Sequence, residues 1–438
     1  MLSKYNVLFD REGKHLLYNS LSNSFVELSD EMSDALRNMI ERNEVDPNAD
    51  KDLLDMLRQI KAIDVDDEYE IRKVKFHVIN GRFDKTRLSI TINPTLACNF
   101  ACPYCFEKDK PQVFMTDETE HAITEFVRRH NGLTHLGVTW FGGEPLLGFE
   151  RIKSLTGKFL DMGIGYSAGM ITNGYLITKE IAKSFEALRI YSVQITIDGM
   201  RERHDSRRYL KNGAPTFDRI IESLKLLSDH APKTRVTVRI NVDENNHADY
   251  PALKAYLSGL GLRNVFLSPG FTSDSTGTGY DCIFDKMKRH QFYVDMVRLH
   301  GYDNRPFFPV NPRTECAVRN SASCVIGPEG ELYKCWNDVG NPAKVYGNLK
   351  DGVGNQKLLM DYLTAADPLE NDECNECLLF PVCNGGCPYD RIQRLQQGRS
   401  ENDCPIMKSG IEDYLWLHYN CLQRQTDSLY ATTERSKR

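Results

Sequence analysis

Three cysteines near position 100 have a spacing that suits an iron–sulfur cluster. Cys98, Cys102 and Cys105 are separated by three and by two residues. Such a loop can wrap a four-iron, four-sulfur (4Fe-4S) cluster so that each thiolate binds a different iron and the fourth iron stays open. An open coordination position is typical of catalytic metal sites. On spacing alone, a zinc site or buried structural thiols are the alternative, although zinc usually takes four ligands and no fourth Cys or His lies close by.

The other cysteines lie mostly near the C-terminus. Seven of the thirteen cysteines fall between positions 316 and 387. We expect a cytoplasmic protein, because the N-terminal residues lack the apolar core of a signal peptide and no stretch approaches the roughly 18 apolar residues of a membrane helix. In a reducing compartment, clustered thiolates more often bind metal than form disulfides. Cys282 and Cys421 are expected to be ordinary core thiols.

The charge is uneven along the chain. Residues 1–70 carry 8 Lys and Arg against 17 Asp and Glu, a net charge of -9, whereas the whole chain of 438 residues carries -6. Binding to nucleic acid needs clustered Lys and Arg, so nucleic acid is not expected as a partner. The sequence predicts a soluble globular protein of two or three domains, with no membrane partner.

The N-terminal segment predicts a small unit of three strands followed by two helices. Apolar alternation and turn residues place the strands near 5–9, 15–21 and 25–28. One helix is expected to be capped near Ser29 or Asp30, and the second to follow Asp50. This order suggests a winged-helix-like unit, followed by an acidic connector over 64–75.

A regular alternation of strands and helices follows. It predicts a parallel sheet with right-handed crossovers, and six units are too few for a closed eight-stranded barrel. The expected fold is therefore α/β, with a partial (β/α)6 barrel. Further helices are expected over 284–299 and 406–429. The predicted strands lie near 88–92, 137–141, 169–172, 192–197, 235–242 and 264–267.

The first cysteine motif, with Tyr104 before its last cysteine, resembles that of the radical S-adenosylmethionine (SAM) superfamily. Further matches follow the predicted strands in order. The resemblance implies that the open iron chelates SAM, and that reductive cleavage of SAM yields a 5'-deoxyadenosyl radical. The segments that match are Trp140 to Pro145, Thr172 to Gly174, Asp198-Gly199, His204 to Arg208, and Asn241.

The resemblance also assigns the SAM contacts. Backbone oxygens of a Gly-Gly-Glu segment and its Glu side chain would contact the SAM amino group, and glycines allow that close approach. Arg208, the last residue of a His-Asp-x-x-Arg segment, would pair with the SAM carboxylate. Polar residues at other strand ends complete the set, since barrel-type sites are built there. The implied SAM-binding residues are Gly142, Gly143, Glu144, Pro145, Asn173, Asp198, Arg208 and Asn241.

The C-terminal cysteines resemble the SPASM extension of radical SAM enzymes that modify peptides, over roughly 310–410. The resemblance implies two fully ligated auxiliary 4Fe-4S clusters, and so three clusters in all. Zinc-ribbon-like knuckles are the alternative. The implied ligand sets are Cys316, Cys324, Cys335 and Cys387 for one cluster, and Cys374, Cys377, Cys383 and Cys404 for the other.

The domain order is similar to that of enzymes that mature ribosomally made peptides. It implies a leader-recognition domain over 1–85, a radical SAM core over 86–308, and a SPASM domain with a C-terminal helix over 309–438. An exposed edge strand of the first domain would pair with the leader of the precursor peptide. A mere packing domain is the alternative.

The resemblance implies a maturase that installs a thioether or carbon–carbon cross-link in a precursor peptide, with a flavodoxin- or ferredoxin-type reductant. One alternative is a formylglycine-forming anaerobic sulfatase maturase. In that family an Asp, the proposed base, follows the third auxiliary cysteine, whereas Trp336 follows Cys335 and the nearest acid is Asp338. The other alternative, a non-catalytic electron carrier, would have lost the SAM-contacting positions, which are present.

Overall fold

The structure is a computed structural model that describes residues 1–64, 66–105, 111–272, 279–302, 308–312, 315–399, 402 and 404–435. The chain forms two compact units, each made of separate segments. Unit 1 comprises residues 1–82, 286–315 and 365–438, and unit 2 comprises residues 83–285 and 316–364. Among the described residues, no helix combines the length and the apolar character needed to cross a membrane.

In chain order the elements are β1 (Asn6–Arg11), β2 (Lys14–Asn19), β3 (Ser24–Leu28), α1 (Asp30–Arg42), α2 (Lys51–Gln59), α3 (Asp67–Phe83), β4 (Arg87–Ile92), α4 (Asp117–Arg128), β5 (His135–Trp140), α5 (Phe149–Leu160), β6 (Gly165–Thr172), α6 (Lys179–Ser184), β7 (Ile190–Thr196), α7 (Arg201–Arg207), α8 (Phe217–His230), β8 (Arg235–Val242), α9 (Asp249–Gly259), β9 (Val265–Phe271), α10 (Lys286–His300), β10 (Cys324–Ile326), β11 (Glu331–Tyr333), β12 (Gly347–Asn348), β13 (Gly352–Val353), α11 (Gln356–Thr364), α12 (Asp372–Asn375), α13 (Phe380–Cys383), α14 (Pro388–Gln396) and α15 (Ile411–Arg435).

Unit 1 is built around an antiparallel sheet of order β1-β2-β3. Successive side chains of a strand point to opposite faces, and both faces of this sheet are covered. Leu17 packs with the apolar faces of α1 and α2, while Leu16 packs with Trp416 of α15. The side chains of Ser29 and Asp50 cap α1 and α2 by accepting from Met32 N and Leu53 N. The predicted strands and helices of this segment are thus confirmed.

The expectation of a connector over 64–75 was wrong, because α3 begins at Asp67 and runs to Phe83. The pattern of this helix is not that of an ordinary amphipathic helix. Phe76 is 65% exposed, whereas Glu70 and Arg82 are buried. Arg82 is held by a bidentate ion pair with Asp367, also in unit 1, so the buried charge is compensated.

Unit 2 contains the predicted parallel sheet. Strands β4 to β9 pair in parallel in chain order, and the helices between them serve as crossovers. All six predicted strands are confirmed within a few residues. In a sheet of this kind the carboxyl ends of the strands lie at one edge, where loops from different strands meet.

The cysteine-rich segment adds a feature that the sequence did not indicate. β10, which begins at Cys324, pairs in parallel with β4, with Val325 opposite Thr91. β11, β12 and β13 continue the sheet in antiparallel fashion, so that ten strands of the described chain form this sheet. The fold of unit 2 is therefore α/β with a mostly parallel sheet.

Candidate functional site

The three cysteines of the first motif lie on the loop that follows β4. Cys102 is buried and Cys98 partly buried. Burial raises the pKa of the Cys98 thiol to about 12; a hydrogen bond from the Phe100 amide opposes this, and the nearby negative charges of Glu144, Cys102 and Cys105 add to it. The Phe100 amide donates to Cys98 Sγ at 3.4 Å. These three thiols would lose their protons on binding a metal. The positive charge of the metal would then offset the cost of holding negative thiolates in this loop.

Gly142 and Gly143 pack directly against this loop. A Cβ atom on Gly143 would lie 2.4 Å from the carbonyl oxygens of Leu96 and Ala97, and one on Gly142 would lie 2.2 Å from the Thr95 oxygen. The Gly143 amide donates to Thr95 O at 3.2 Å. The two glycines therefore let the end of β5 touch the backbone of the cysteine loop, which any side chain would prevent.

Glu144 links the ends of two neighbouring strands. Its buried carboxylate accepts from Thr172 Oγ1 at 2.6 Å and from the Asn173 amide at 2.7 Å. Burial raises the pKa of Glu144, although these hydrogen bonds favour the charged form. The Asn173 side chain donates to Asn99 Oδ1 at 2.7 Å. Pro145 begins a 3-10 turn that ends at Gly148. Glu144 and Asn173 thus connect β5 and β6 to the cysteine loop.

Three of the predicted SAM-binding residues meet at the hydroxyl of Tyr104. Arg208 Nη1 donates to it at 2.7 Å, and Asn241 Nδ2 at 3.3 Å. The hydroxyl in turn donates to Asp198, whose other oxygen accepts from the Asn241 amide at 3.0 Å. The sequence singled out Tyr104 only as an aromatic ring, so the convergence on its hydroxyl was missed.

A neutral histidine supports this group. The Asp198 amide donates to His204 Nδ1 at 3.2 Å, so the proton must be on Nε2, which lies 3.0 Å from Thr216 Oγ1. Thr216 Oγ1 donates to the Arg208 carbonyl oxygen at 2.5 Å. Burial and then the positive charges of Arg208 and Arg207 lower the pKa of His204 well below its usual value. This chain of hydrogen bonds fixes the backbone on both sides of the predicted carboxylate-binding arginine.

A second arginine extends the network and was not predicted. Arg207 Nη2 donates to Asp243 Oδ2 at 2.7 Å, and Tyr280 also donates to Asp243, at 2.6 Å. The guanidinium lies 5.0 Å from the centre of the Tyr104 ring. A signal for Asp243 was present, since it directly follows β8, and barrel-type sites are built at the carboxyl ends of strands.

Four of the C-terminal cysteines share one pocket of unit 1. Cys374, Cys377, Cys383 and Cys404 line it, together with the buried Arg391. In the described residues, no three His, Cys, Asp or Glu side chains are close enough to hold a single metal ion. Thiolates of a four-iron cluster bind different irons and need not be that close. Four thiols and a buried cation in one pocket fit a negatively charged iron–sulfur cluster.

The other predicted auxiliary set is divided between the units. Cys316, Cys324 and Cys335 belong to unit 2, and Cys387, which precedes α14, belongs to unit 1. Within unit 2, the buried Lys334 donates to Asn320 O at 2.7 Å and to Ser323 O at 2.6 Å. These bonds tie the strand that leads to Cys335 to the loop between the other two cysteines.

Comparisons with known proteins identify the family. The sequence model of the Radical SAM superfamily matches residues 92–255. A serine-type anaerobic sulfatase-maturating enzyme of Bacteroides thetaiotaomicron is 30% identical over 360 residues, which are 71% of this chain and 85% of that enzyme. The chain belongs to the radical SAM superfamily. It is therefore an enzyme that uses SAM, and the family implies a 4Fe-4S cluster.

Other radical SAM proteins are similar over comparable lengths. The mycofactocin maturase MftC of Mycolicibacterium smegmatis is 27% identical over 330 residues, 68% of this chain and 78% of that protein. The fold is similar to that of anSMEcpe with bound AdoMet and Cp18Cys peptide (TM-score 0.58, 21% identity, 78% of this chain and 99% of that one). It is also similar to SuiB of Streptococcus suis bound to precursor peptide SuiA (TM-score 0.50, 15% identity, 90% and 96%).

Proposed function

We propose that this radical SAM enzyme is a peptide maturase that installs a thioether or carbon–carbon cross-link in a ribosomally synthesised precursor peptide. The observation that carries the proposal is the presence of two kinds of cysteine site. Three thiols follow β4 beside the strand ends, and four thiols line one pocket of unit 1 together with a buried arginine. The similarity to a mycofactocin maturase and to SuiB with its precursor peptide SuiA supports a peptide substrate.

Cys98, Cys102 and Cys105 would hold the SAM-binding cluster, which when bound supplies the electron that cleaves SAM to a 5'-deoxyadenosyl radical. Arg208 would bind the SAM carboxylate, and Asn241 and Asp198 would position it. All three side chains now bond to the Tyr104 hydroxyl. We expect SAM to replace that hydroxyl as the partner of Arg208, since a carboxylate forms the stronger, charge-assisted bond.

Residues near Gly143 would bind the SAM amino group. Gly142 and Gly143 bring their backbone against the cysteine loop, and Glu144, Pro145 and Asn173 follow at the same sheet edge. Both Glu144 oxygens already accept from the chain. The backbone oxygens of this segment are therefore the better candidates for direct contact, with Glu144 as their support.

The C-terminal cysteines would hold two auxiliary clusters, giving three 4Fe-4S clusters with the two ligand sets that the resemblance implies. Cross-link formation releases one electron from the substrate, and the auxiliary clusters would accept it. A flavodoxin- or ferredoxin-type protein would supply the electron for SAM cleavage. Four thiols and Arg391 in one pocket support the set of Cys374, Cys377, Cys383 and Cys404.

The N-terminal domain, over residues 1–85, would bind the leader of the precursor, ahead of the SAM core (86–308) and the SPASM domain (309–438). β3 lies at one edge of its three-stranded sheet. An extended peptide can add to such an edge through main-chain hydrogen bonds. A tethered leader raises the local concentration of the core peptide at the radical site.

A formylglycine-forming sulfatase maturase is the second candidate, because such enzymes are among the relatives. The structure offers an observation against it. Asp338, the acid nearest to Cys335, is buried and accepts a hydrogen bond from Tyr362 at 2.5 Å. Trp336, which takes the place of the proposed base, is 44% exposed and contacts Phe141 at 5.7 Å between ring centroids. A base for formylglycine formation would have to be a residue other than Asp338 or Trp336.

The test is to incubate the reconstituted, reduced enzyme with SAM and two kinds of peptide. The first kind is the short peptides encoded beside its gene, and the second is a sulfatase-type peptide with a reactive Ser or Cys. We expect a gene-neighbour peptide to lose two hydrogens, to resist aldehyde reagents and to show a closed loop on fragmentation. An aldehyde on the sulfatase-type peptide, with no reaction on the others, would contradict the proposal.

A further inference from the structure

Arg391 is a buried cation that lines the same pocket of unit 1 as Cys374, Cys377, Cys383 and Cys404. It lies on α14 and is 8% exposed. Its Nη1 donates to Cys374 Sγ at 3.7 Å and to Asn402 Oδ1 at 2.7 Å. Its Nε donates to the Ala366 carbonyl oxygen at 3.0 Å. The thiol is thus a direct hydrogen-bond partner of the guanidinium.

The described part of the chain provides no carboxylate within ion-pair distance of Arg391. Glu373 also lines the pocket, but it accepts from Asn402 Nδ2 at 2.6 Å. A buried charge without an opposite charge is destabilising. Negative charge on the cysteine sulfurs, as in a bound iron–sulfur cluster, would compensate Arg391.

Lys408 offers a natural comparison at the same pocket. Its Nζ lies 3.6 Å from Cys404 Sγ, but the side chain is exposed. Water and salt screen an exposed charge strongly and a buried charge weakly. Arg391 should therefore act on the sulfurs much more strongly than Lys408 does.

A cation and a hydrogen bond at a cluster's ligand sulfurs favour its more negative, reduced state. Iron–sulfur potentials are set by net charge, by hydrogen bonds to the sulfurs and by exposure to solvent. We propose that Arg391 raises the reduction potential of the auxiliary cluster bound by Cys374, Cys377, Cys383 and Cys404, and so makes it the acceptor of the electron that cross-linking releases. This inference rests on the cluster set of the proposed function.

Formation of a thioether removes one proton and one electron from the peptide radical. The carbon radical of the peptide forms a bond to a substrate sulfur, the S–H bond breaks and its proton leaves to a base or water. The remaining electron passes to the oxidised auxiliary cluster, which is reduced by one electron. Arg391 stabilises this reduced state from a fixed position and takes no part in bond making.

The experiment is a reductive titration of the full-length, reconstituted protein, followed by EPR, together with iron analysis. The variants are Arg391→Met, which removes the charge, Arg391→Lys, which keeps it, and Lys408→Met. Arg399→Gln is the matched control, because Arg399 is exposed and its guanidinium donates to the side-chain oxygen of Gln397. Catalytic activity is not the readout.

We expect Arg391→Met to move the midpoint of one auxiliary signal to lower potential, and Arg391→Lys to leave it near the wild-type value. Lys408→Met should give a smaller shift that high salt abolishes, and Arg399→Gln none. An unchanged midpoint in a fully loaded Arg391→Met protein would overturn the inference. Loss of iron from both Arg391 variants would also overturn it, because Arg391→Lys keeps the positive charge and should therefore keep the cluster.

The iron content of the wild-type protein separates this inference from the proposed function. About twelve irons per chain are expected from three 4Fe-4S clusters. A wild-type protein with about four irons, whatever its SAM chemistry, would refute the auxiliary clusters themselves. Full iron content with an unshifted midpoint would refute only the role of Arg391.

Discussion

Replacing Gly143 by Ala should displace the cysteine loop while leaving the rest of the fold intact. The new Cβ would lie 2.4 Å from the carbonyl oxygens of Leu96 and Ala97. Ordinary contact requires about 3.5 Å, so the loop must move by about 1 Å. Gly143, unlike Gly142, is not in the left-handed backbone region. The effect of this substitution is therefore steric and not a matter of backbone strain.

A displacement of about 1 Å in a catalytic group can cost about 100-fold in rate. We expect Gly143→Ala to lower the release of 5'-deoxyadenosine from SAM by about that factor, measured by chromatography on the reconstituted, reduced protein. The control is Gly157→Ala in α5, where no atom lies within 4 Å of the added Cβ. It should leave the rate unchanged and stabilise the helix by up to about 1 kcal/mol. Wild-type rate and iron content in Gly143→Ala would refute the proposed packing.

Three further substitutions test other parts of the structure. Tyr104→Phe removes the hydroxyl that Arg208, Asn241 and Asp198 share, and should lower the free energy of unfolding of the SAM-free protein by about 2 kcal/mol. An equal loss with SAM bound would contradict the proposal that SAM replaces this hydroxyl as the partner of Arg208. Trp336→Ala removes a half-exposed ring that contacts Phe141, the residue before Gly142, and that offers a peptide an aromatic contact. It should raise KM for the peptide about tenfold and leave SAM cleavage without peptide unchanged. An equal effect on both reactions would contradict a role in peptide binding. Burial raises the pKa of Glu120, but bonds from Lys158, Ser154 and Arg151 outweigh burial and lower it below 4.5. The ionised Glu120 therefore stabilises the fold above about pH 4.5, and this stabilisation is lost as the pH falls through the lowered pKa. The difference in free energy of unfolding between wild type and Glu120→Gln, measured by chemical unfolding, should be smaller at pH 3 than at pH 7.

The strands of the parallel sheet were predictable because they are short, apolar and bounded by turns. Local cues also gave the N-terminal unit, where Ser29 and Asp50 cap the helices as expected. α3 was missed because several of its large apolar side chains, Tyr69, Phe76, Ile79 and Phe83, are exposed while Glu70 and Arg82 are buried. A helix whose polarity is reversed at several positions does not show the periodicity that identifies helices.

Contacts between residues far apart in the chain could not be predicted from the sequence. β10 is only three residues long, and its pairing with β4 joins segments more than 200 positions apart. The Tyr104 hydroxyl likewise gathers Asp198, Arg208 and Asn241. The motifs predicted which residues form the site, but side-chain packing decides which of them touch. Arg391 gave no signal at all, because a lone arginine in a helix is ordinarily a solvated charge.

The release of 5'-deoxyadenosine by a Cys102→Ala variant tests the central claim most directly. Cys102 is buried in the cysteine loop, and the claim is that its thiolate holds the cluster that cleaves SAM. We predict that the reduced variant releases no 5'-deoxyadenosine and has lost about four irons, whereas Cys282→Ala, outside every predicted ligand set, retains wild-type release. Release by Cys102→Ala at the wild-type rate would contradict the assignment.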